Sequence, residues 1–480
     1  MPAERWSSNA GFLLAAIGAA VGLGNVWRFS SVVGQNGGGA YLLPYLLAAF
    51  LFAVPMLILE LSVGRAKRMD VIQAFANVEK RLEPLGWLLV GAVLVILSYY
   101  LVLTGWVLAY AGYAALGSLP SFTTFTSTWL PLPVFLVAAL ATAAIVASGV
   151  RGGIERMAKV VMPTVFLLLI ALALYGVTLD GFGPGVSFLF PPDLSVLGDP
   201  LVWSAAFGQV FFSLSVGQGI MLTYGAYLDD HVRIPRAALT ITVADILVAL
   251  VAGVVIFPLV FTLGVEPSLG TELAFTTLPQ AFAVIPGGAW VGLAFFSLLF
   301  FAALSSSVSL LEVGVASLTR ASELSRPKAT WALTGGVVLL GTLSALSYSP
   351  VQLSLDGVRV LDLLDDTVGT LALPITAVIL AVVFTWLPEE RDVLGWLEAS
   401  WLVPVVKYLI PSVLLVTTLL RLVTGVGLEP WSLIPGHEAI SSTARGLVLV
   451  GILILLVMLG RLIEAWVDAR RRTKGPGASP

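Results

Sequence analysis

Apolar residues along this chain come in long unbroken blocks, not in strand-like alternation. Polar and charged positions gather in short intervals between the blocks. Runs rich in Leu, Val and Ala occupy residues 10–35, 40–64, 86–117, 131–149, 158–179, 201–228, 237–264, 287–318, 329–348, 359–387, 402–425 and 443–469. Each is close to the roughly 20 residues that a helix needs to cross a bilayer. Lipid cannot satisfy backbone N–H and C=O groups, so a spanning segment is either a helix or part of a closed barrel. Continuous apolar runs point to helices. The pattern therefore predicts an all-α polytopic membrane protein of about 12 spans.

Basic residues test that reading. With the N-terminus on the cytoplasmic side, the inner connections carry Arg65, Lys67, Arg68, Lys80 and Arg81, then Arg151, Arg156 and Lys159, then Arg233 and Arg236. Arg320, Arg326 and Lys328 follow, and the C-terminal tail adds Arg470, Arg471, Arg472 and Lys474. The outer intervals 118–130, 180–200 and 265–286 hold no Lys or Arg. This is the positive-inside pattern, and one misplaced span would invert every later loop. Both termini are expected in the cytoplasm of a prokaryotic plasma (inner) membrane. The first apolar run contains Asn25 and Arg28 and so does not read as a cleavable signal.

Composition narrows the chemistry. Of 480 residues, 58% are hydrophobic and 11% charged, far from the ~25% charge of soluble domains. A net charge of −3 gives no reason to expect a nucleic-acid partner. There is no cysteine, which excludes disulfides and thiolate metal sites, and the two histidines, His231 and His437, fall in expected loops. No catalytic dyad or phosphate loop is visible, so the chain is not read as an enzyme. The whole of 1–480 reads as one transmembrane domain: a first half-repeat (1–179), a second (201–387), two accessory helices (402–469) and a disordered tail (470–480).

Two spans are interrupted. The first contains AVGLGNVWRF (Ala20 to Phe29) and the sixth GQVFFSLSVGQG (Gly208 to Gly219), each placing glycine and polar residues at mid-membrane depth. Glycine costs about 1 kcal/mol per helix-interior site. Singly, each stretch reads better as glycine placed for close helix packing. Together they occupy equivalent places in two five-helix halves, and with Asn25 they read as the broken helices of an inverted-repeat transporter. There, half-helix N-termini face an anion and freed carbonyls face cations. The eighth span adds Ser305, Ser306 and Ser307. Such hydroxyls either bond back to their own helix or supply oxygen ligands to a hard cation.

With AVGLGNVWRF, QNGGGAYLLPY (Gln35 to Tyr45), ELSVGR (Glu60 to Arg65), SYY (Ser98 to Tyr100), GGIERMAKVVMP (Gly152 to Pro163), GQVFFSLSVGQG and the serines of the eighth span, the chain resembles the neurotransmitter:sodium symporter family. Within that family it resembles the bacterial leucine and hydrophobic amino-acid transporters. The match runs from about Trp6 to the tenth span; the last two spans fit in number and length only. The resemblance implies a 5+5 inverted repeat and two sodium sites. One would use Ala20, Asn25, Ser213, Asp245 and the substrate carboxylate. The other would use Gly18, Val21, Ala302, Ser305 and Ser306. It also implies that the carboxylate sits on the amides of Leu23 and Gly24 and on the Tyr100 hydroxyl. The ammonium would meet carbonyls near Ala19, Phe212 and Ser213, and the side chain would face Ile96, Tyr100, Phe212, Ser215, Gln218, Ser307 and Leu310. Gly22 stands where monoamine-carrying relatives have aspartate. The glycine favours α-amino acids, or only permits the turn; both readings can hold.

The chain departs from the family pattern at three places. Asp245 lies where many relatives have asparagine, and Ala249 where chloride-dependent relatives have serine. A carboxylate there would replace the anion, leaving no chloride requirement; the alternative is a structural acid hydrogen-bonded inside the bundle. At the inner gate, Ala3 and Arg320 replace an expected arginine and aspartate, while Trp6, Tyr227 and Glu312 remain. A Glu4–Arg320 or an Arg5–Glu312 pair is expected, or else Arg320 merely follows the positive-inside rule. Gln218 stands at a position often bulky or apolar; it either widens specificity toward small or polar side chains or bonds to the broken helix. The outer gate would pair Arg28 with Asp362 above a lid of Tyr100 and Phe212, unless Asp362 is a solvated loop acid. The expected function is sodium-coupled import of neutral, hydrophobic L-amino acids by alternating access, within the bilayer. An amino-acid sensor on the same fold and an ion channel are the alternatives. A channel would want a continuous polar pore.

Overall fold

In the computed structural model, which describes residues 4–190, 195–265, 273–322, 324–388, 395, 397 and 401–424, the first eleven expected runs are helical. The twelfth, 443–469, and the tail, 470–480, lie outside the described residues. Seven of the long spans are Gly38–Lys67, Lys80–Ala115, Val150–Gly176, Ile234–Thr262, Gly288–Ser322, Arg326–Ser347 and Val360–Trp386. The fourth run is the shorter helix Pro131–Ala147, and the eleventh begins at Leu402. The first span is two helices, Asn9–Ala20 and Gly24–Gln35, bent by 56° at the break. The sixth breaks between Pro200–Ser213 and Ile220–Ala226.

The fifth span begins at Val150, well before the expected residue 158. Its first turn is stabilised by the N-terminal segment: the Glu155 carboxylate accepts from the Ser7 amide (2.7 Å) and pairs with Lys159 (2.7 Å). That anchoring lets a charged, glycine-containing stretch continue the helix. One small departure from all-α is a two-residue hairpin, Ser354–Leu355 against Val358–Arg359, between the ninth and tenth spans. Short helices also fill the intervals, among them Val71–Val78, capped by Asp70, and Phe182–Leu189.

Polar residues sit inside the bundle and large apolar ones outside. Asn25, Glu60, Asp245 and Glu312 are all buried, whereas Leu167, Leu174 and Leu339 are exposed. A soluble protein would reverse this; a lipid-facing surface requires it. Packing between the second span and the inner half of the sixth depends on glycine. A Cβ on Gly225 would meet the Leu61 carbonyl at 2.5 Å, and one on Gly64 would run into the carbonyl of Leu222. Small residues let these two backbones touch, the usual means of association in a solvent as apolar as the side chains themselves.

Candidate functional site

The two breaks face each other at the centre of the bundle. On the first span the α-helix ends at Ala20 and resumes past Leu23. Asn25 turns back on this break: its Oδ1 accepts the Gly22 amide (2.9 Å), while its Nδ2 donates to Ser213 Oγ (2.8 Å) and Asp245 Oδ1 (2.5 Å). The Ser213 hydroxyl lies 3.1 and 3.0 Å from the two Asp245 oxygens. The resulting cluster joins spans one, six and seven, and Asp245 is only 1% exposed. A buried carboxylate ringed by an amide, a hydroxyl and ends of broken helix is a cation-binding composition.

On the sixth span the break is a tight turn. Ser215, Gly217 and Gly219 all have positive φ (54°, 81° and 70°). The Gly217 amide donates to Glu60 Oε1 at 2.7 Å, so a buried acid of the second span satisfies backbone that the turn leaves without helical partners. Gln209 Nε2 donates to the Gly24 carbonyl at 2.8 Å, tying the two broken spans together.

A second oxygen cluster lies where the eighth span crosses the first. Ser306 Oγ is 3.5 Å from the Ala19 carbonyl, 3.4 Å from that of Val21 and 3.3 Å from that of Ala302. One hydroxyl proton cannot serve three carbonyls, so the group is rich in acceptors. Ser305 Oγ donates to Ala302 at 2.8 Å, the back-bonding expected of a hydroxyl in lipid. Gly18 backs onto Ser305: a Cβ there would lie 3.3 Å from the serine Cβ.

Between these clusters is a cavity. The first span contributes Ala19, Ala20, Gly22, Gly24 and Asn25, and the third Ile96 and Tyr100. The sixth contributes Phe212, Ser213, Ser215 and Gln218, and the eighth Ser306 and Leu310. The Leu23 amide donates to the Tyr100 hydroxyl (3.2 Å), so those two expected anion-facing groups are adjacent. The Ser215 hydroxyl donates to the Ala19 carbonyl (3.1 Å). Ser307 is not in the lining. Its hydroxyl donates to Ala303 (2.9 Å) and meets Thr104 Oγ1 (3.3 Å), so it bonds to its own helix and to the third span.

The gates differ from expectation in their partners. Above the cavity, the Arg28 guanidinium lies 4.4 Å from the centre of the Phe212 ring. The acid whose charge bears on Arg28 is Asp365, not Asp362. Asp362 instead accepts from the Tyr348 hydroxyl (2.9 and 3.0 Å) and faces Arg359, at the hairpin. Asp362 and Asp365 are one helical turn apart, so the sequence offered both on one face. The cytoplasmic side is likewise rewired. Neither Glu4–Arg320 nor Arg5–Glu312 forms. Arg326, at the start of the ninth span, holds Glu312 (2.5 Å) and Glu4 (3.7 Å). Glu312 also accepts from the Tyr227 hydroxyl (2.7 Å). Arg5 pairs with Asp229 (3.6 Å). Arg320 donates to the Arg68 carbonyl (2.6 Å) and faces Asp70, whose carboxyl burial pushes up to about 6. Trp6 plugs this side, its indole N–H donating to Tyr224 O (3.1 Å).

Glu60, Gln209, Asp365 and Arg326 are the residues sequence reasoning left without a role. Glu60 and Gln209 stood inside quoted motifs, and a buried acid in an apolar run was the available signal for Glu60. Arg326 was one cation among many in the inner loops, and nothing in its spacing singled it out.

The chain matches the family described as the sodium:neurotransmitter symporter family over residues 3–131 and 127–426. It is 37% identical over 391 residues to an uncharacterised sodium-dependent transporter of Bacillus subtilis, covering 79% of this chain and 86% of that one. An uncharacterised sodium-dependent transporter of Haemophilus influenzae is 31% identical over 443 residues, covering 86% and 97%. Among solved structures, that of MhsT in complex with L-phenylalanine superposes with a TM-score of 0.80 at 40% identity, covering 87% of this chain and 99% of that one.

Proposed function

The chain belongs to the sodium:neurotransmitter symporter family of sodium-dependent membrane transporters, and from that premise we propose that it imports a neutral α-amino acid with two sodium ions, by alternating access and without chloride. The observation that carries the reading is the cavity between the broken spans. It has amides of the first span and the Tyr100 hydroxyl on one wall, with oxygen clusters on either side. The substrate carboxylate would take the Leu23 and Gly24 amides, where the outer half-helix presents its positive end. Its ammonium would take freed carbonyls, Ala19 among them. One sodium would sit at Asn25, Ser213 and Asp245 with the Ala20 carbonyl and the substrate carboxylate. The other would sit at Gly18, Val21, Ala302, Ser305 and Ser306. Binding of L-phenylalanine by the structural neighbour MhsT supports an amino acid as the cargo class. Arg28, Phe212 and Asp365 would close the outer side, and Trp6, Tyr227, Glu312 and Arg326 the inner, cytoplasmic side of a prokaryotic plasma membrane.

Uptake by protein reconstituted in liposomes tests this. Transport is expected with sodium outside and not with potassium or choline. Ser306→Ala is expected to raise the half-saturating sodium concentration at least about tenfold, because a hard cation needs the hydroxyl oxygen that alanine lacks. Methyl esters and decarboxylated amines are expected to compete poorly. Equal uptake in potassium would sink the symport mechanism. Binding without counterflow of labelled substrate would point to a sensor.

A further inference from the structure

Six polar side chains line the central cavity: Asn25, Tyr100, Ser213, Ser215, Gln218 and Ser306. Five of them have a hydrogen-bond partner within the protein. Gln218 alone has none among the described residues, although it is buried, with 4% of its surface exposed. Its amide lines the cavity instead of bonding to the protein, so it is left for whatever the cavity holds; natural proteins keep few polar groups unpaired.

Its place in the cavity says what it can meet. Tyr100 marks the end that would hold the substrate carboxylate. Ile96 is one helical turn before Tyr100 on the third span, and Leu310 is one turn after Ser306 on the eighth. Odd and even spans run in opposite directions, so both steps lead toward the same end of the cavity. Gln218 lies in the non-helical turn of the sixth span, three residues beyond Ser215, and lines the same cavity. Beside the apolar Ile96 and Leu310 the cavity thus offers this one unpaired amide, and no ionised group is in its lining.

The backbone that carries the amide is held in place. Gly217 and Gly219 flank it with φ of 81° and 70°, and the Gly217 amide is fixed by Glu60. A Cβ at Gly217 would lie 2.6 Å from the Ala377 Cβ, and one at Gly219 2.7 Å from Val71 Cγ2, so the turn is clamped on both sides. With the backbone fixed, only the rotamers of the side chain are left to be ordered on binding.

We propose that Gln218 is a specificity-determining residue, and that it selects neutral amino acids whose side chain carries a hydrogen-bonding group over hydrocarbon isosteres. This rests on the amino-acid transport reading above and sharpens it. A carboxamide is donor and acceptor at once, so it serves a hydroxyl, another carboxamide or an indole N–H alike. A hydrocarbon leaves it unpaired, and sites built around a polar contact reject the analogue lacking it far more strongly than apolar pockets reject a missing methylene. A charged side chain would find no counter-ion and is excluded by desolvation.

The test uses near-isosteric pairs in sodium-dependent competition on the full-length protein in liposomes: threonine against valine, and glutamine against methionine. Wild type is expected to favour the polar member of each pair at least about tenfold. Gln218→Met keeps length and removes the amide. It is expected to reverse both preferences while sodium dependence and discrimination against methyl esters persist, which also shows that the variant is folded. A wild type that favours valine and methionine overturns the proposal while leaving amino-acid symport intact. So does a Gln218→Met variant with the wild-type order. Were Gln218→Met to fail to insert, the wild-type order alone decides. If no neutral amino acid competes in sodium, the transport reading fails with it, and that result is distinct from a reversed order.

Discussion

Position 22 shows how much a single atom decides. The sequence offered two roles for Gly22, a marker of substrate class and a residue permitting the turn. Its backbone is not in the left-handed region, so φ does not demand glycine. Space does: a Cβ there would lie 2.7 Å from Ser306 Oγ and 2.8 Å from the Tyr100 hydroxyl. Those two hydroxyls would each contact a different ligand, the second sodium and the substrate carboxylate, so glycine at 22 lets both sites share one piece of backbone. Gly22→Ala is expected to abolish sodium-dependent substrate binding, by at least about 100-fold, through misplacement of groups that must be held to within about half an ångström. Size-exclusion behaviour is expected to remain normal, because the fault is local. Binding within threefold of wild type would show that the neighbours move aside. Tertiary packing of this kind has no sequence signature, which is why the third role was not legible.

At the scale of elements, the breaks in the first and sixth spans and the burial of Asp245 were legible, because mid-membrane glycine and polar residues are too costly to be incidental, whereas the meeting of the eighth span with the first was implied by the family resemblance alone. Pairings between elements were not. The outer acid facing Arg28 is Asp365 and not Asp362, since a one-turn choice depends on how the tenth span is seated. The inner pairings expected of Arg320 and Arg5 fail because Arg326 is closer to both acids. Arg326 bridges the ninth span to Glu312 on the eighth and Glu4 on the N-terminal segment, and Glu312 is fully buried. Removing one partner of a buried ion pair typically costs 3–5 kcal/mol, because the other charge is stranded. Arg326→Gln is therefore expected to weaken the closed inner face. The chain has no cysteine, so one introduced at Ala316, buried one helical turn past Glu312 on the same face, reports directly. Its labelling by a membrane-impermeant thiol reagent on inside-out vesicles is expected to rise severalfold in Arg326→Gln and to fall back in Arg326→Gln combined with Glu312→Gln. Unchanged labelling in the single variant would place the inner gate elsewhere.

Across the whole molecule, the question is how a bundle walled by lipid would accommodate the two sodium ions proposed near its centre. Moving a charge into low dielectric without a partner is expensive, so the loaded protein needs negative charge close by. One such charge would arrive with the carboxylate of the proposed substrate. The other is present in the fold: Asp245 accepts from Asn25 and Ser213 at the junction of three spans. One turn further along the same face stands Ala249, fully buried and without a hydroxyl to offer an anion. One N–H of the Gln209 carboxamide is engaged with the Gly24 carbonyl, so that donor is directed at backbone. A carboxylate built into the seventh span would make a recruited anion redundant, and its proximity to Ser213 and Asn25 would place it against the first sodium itself. Transport is therefore expected to proceed at the same rate when external and internal chloride are exchanged for gluconate. Asp245→Asn removes the charge, and Ala249→Ser restores a hydroxyl at the place where chloride-dependent relatives carry one. The double variant is expected to transport more slowly than wild type in gluconate and to regain part of its rate in chloride, whereas Asp245→Asn alone is expected to be slow in both. A wild type that stalls in gluconate would show that Asp245 does not supply the balancing charge. A double variant indifferent to chloride would show instead that the anion needs more donors than one restored hydroxyl provides.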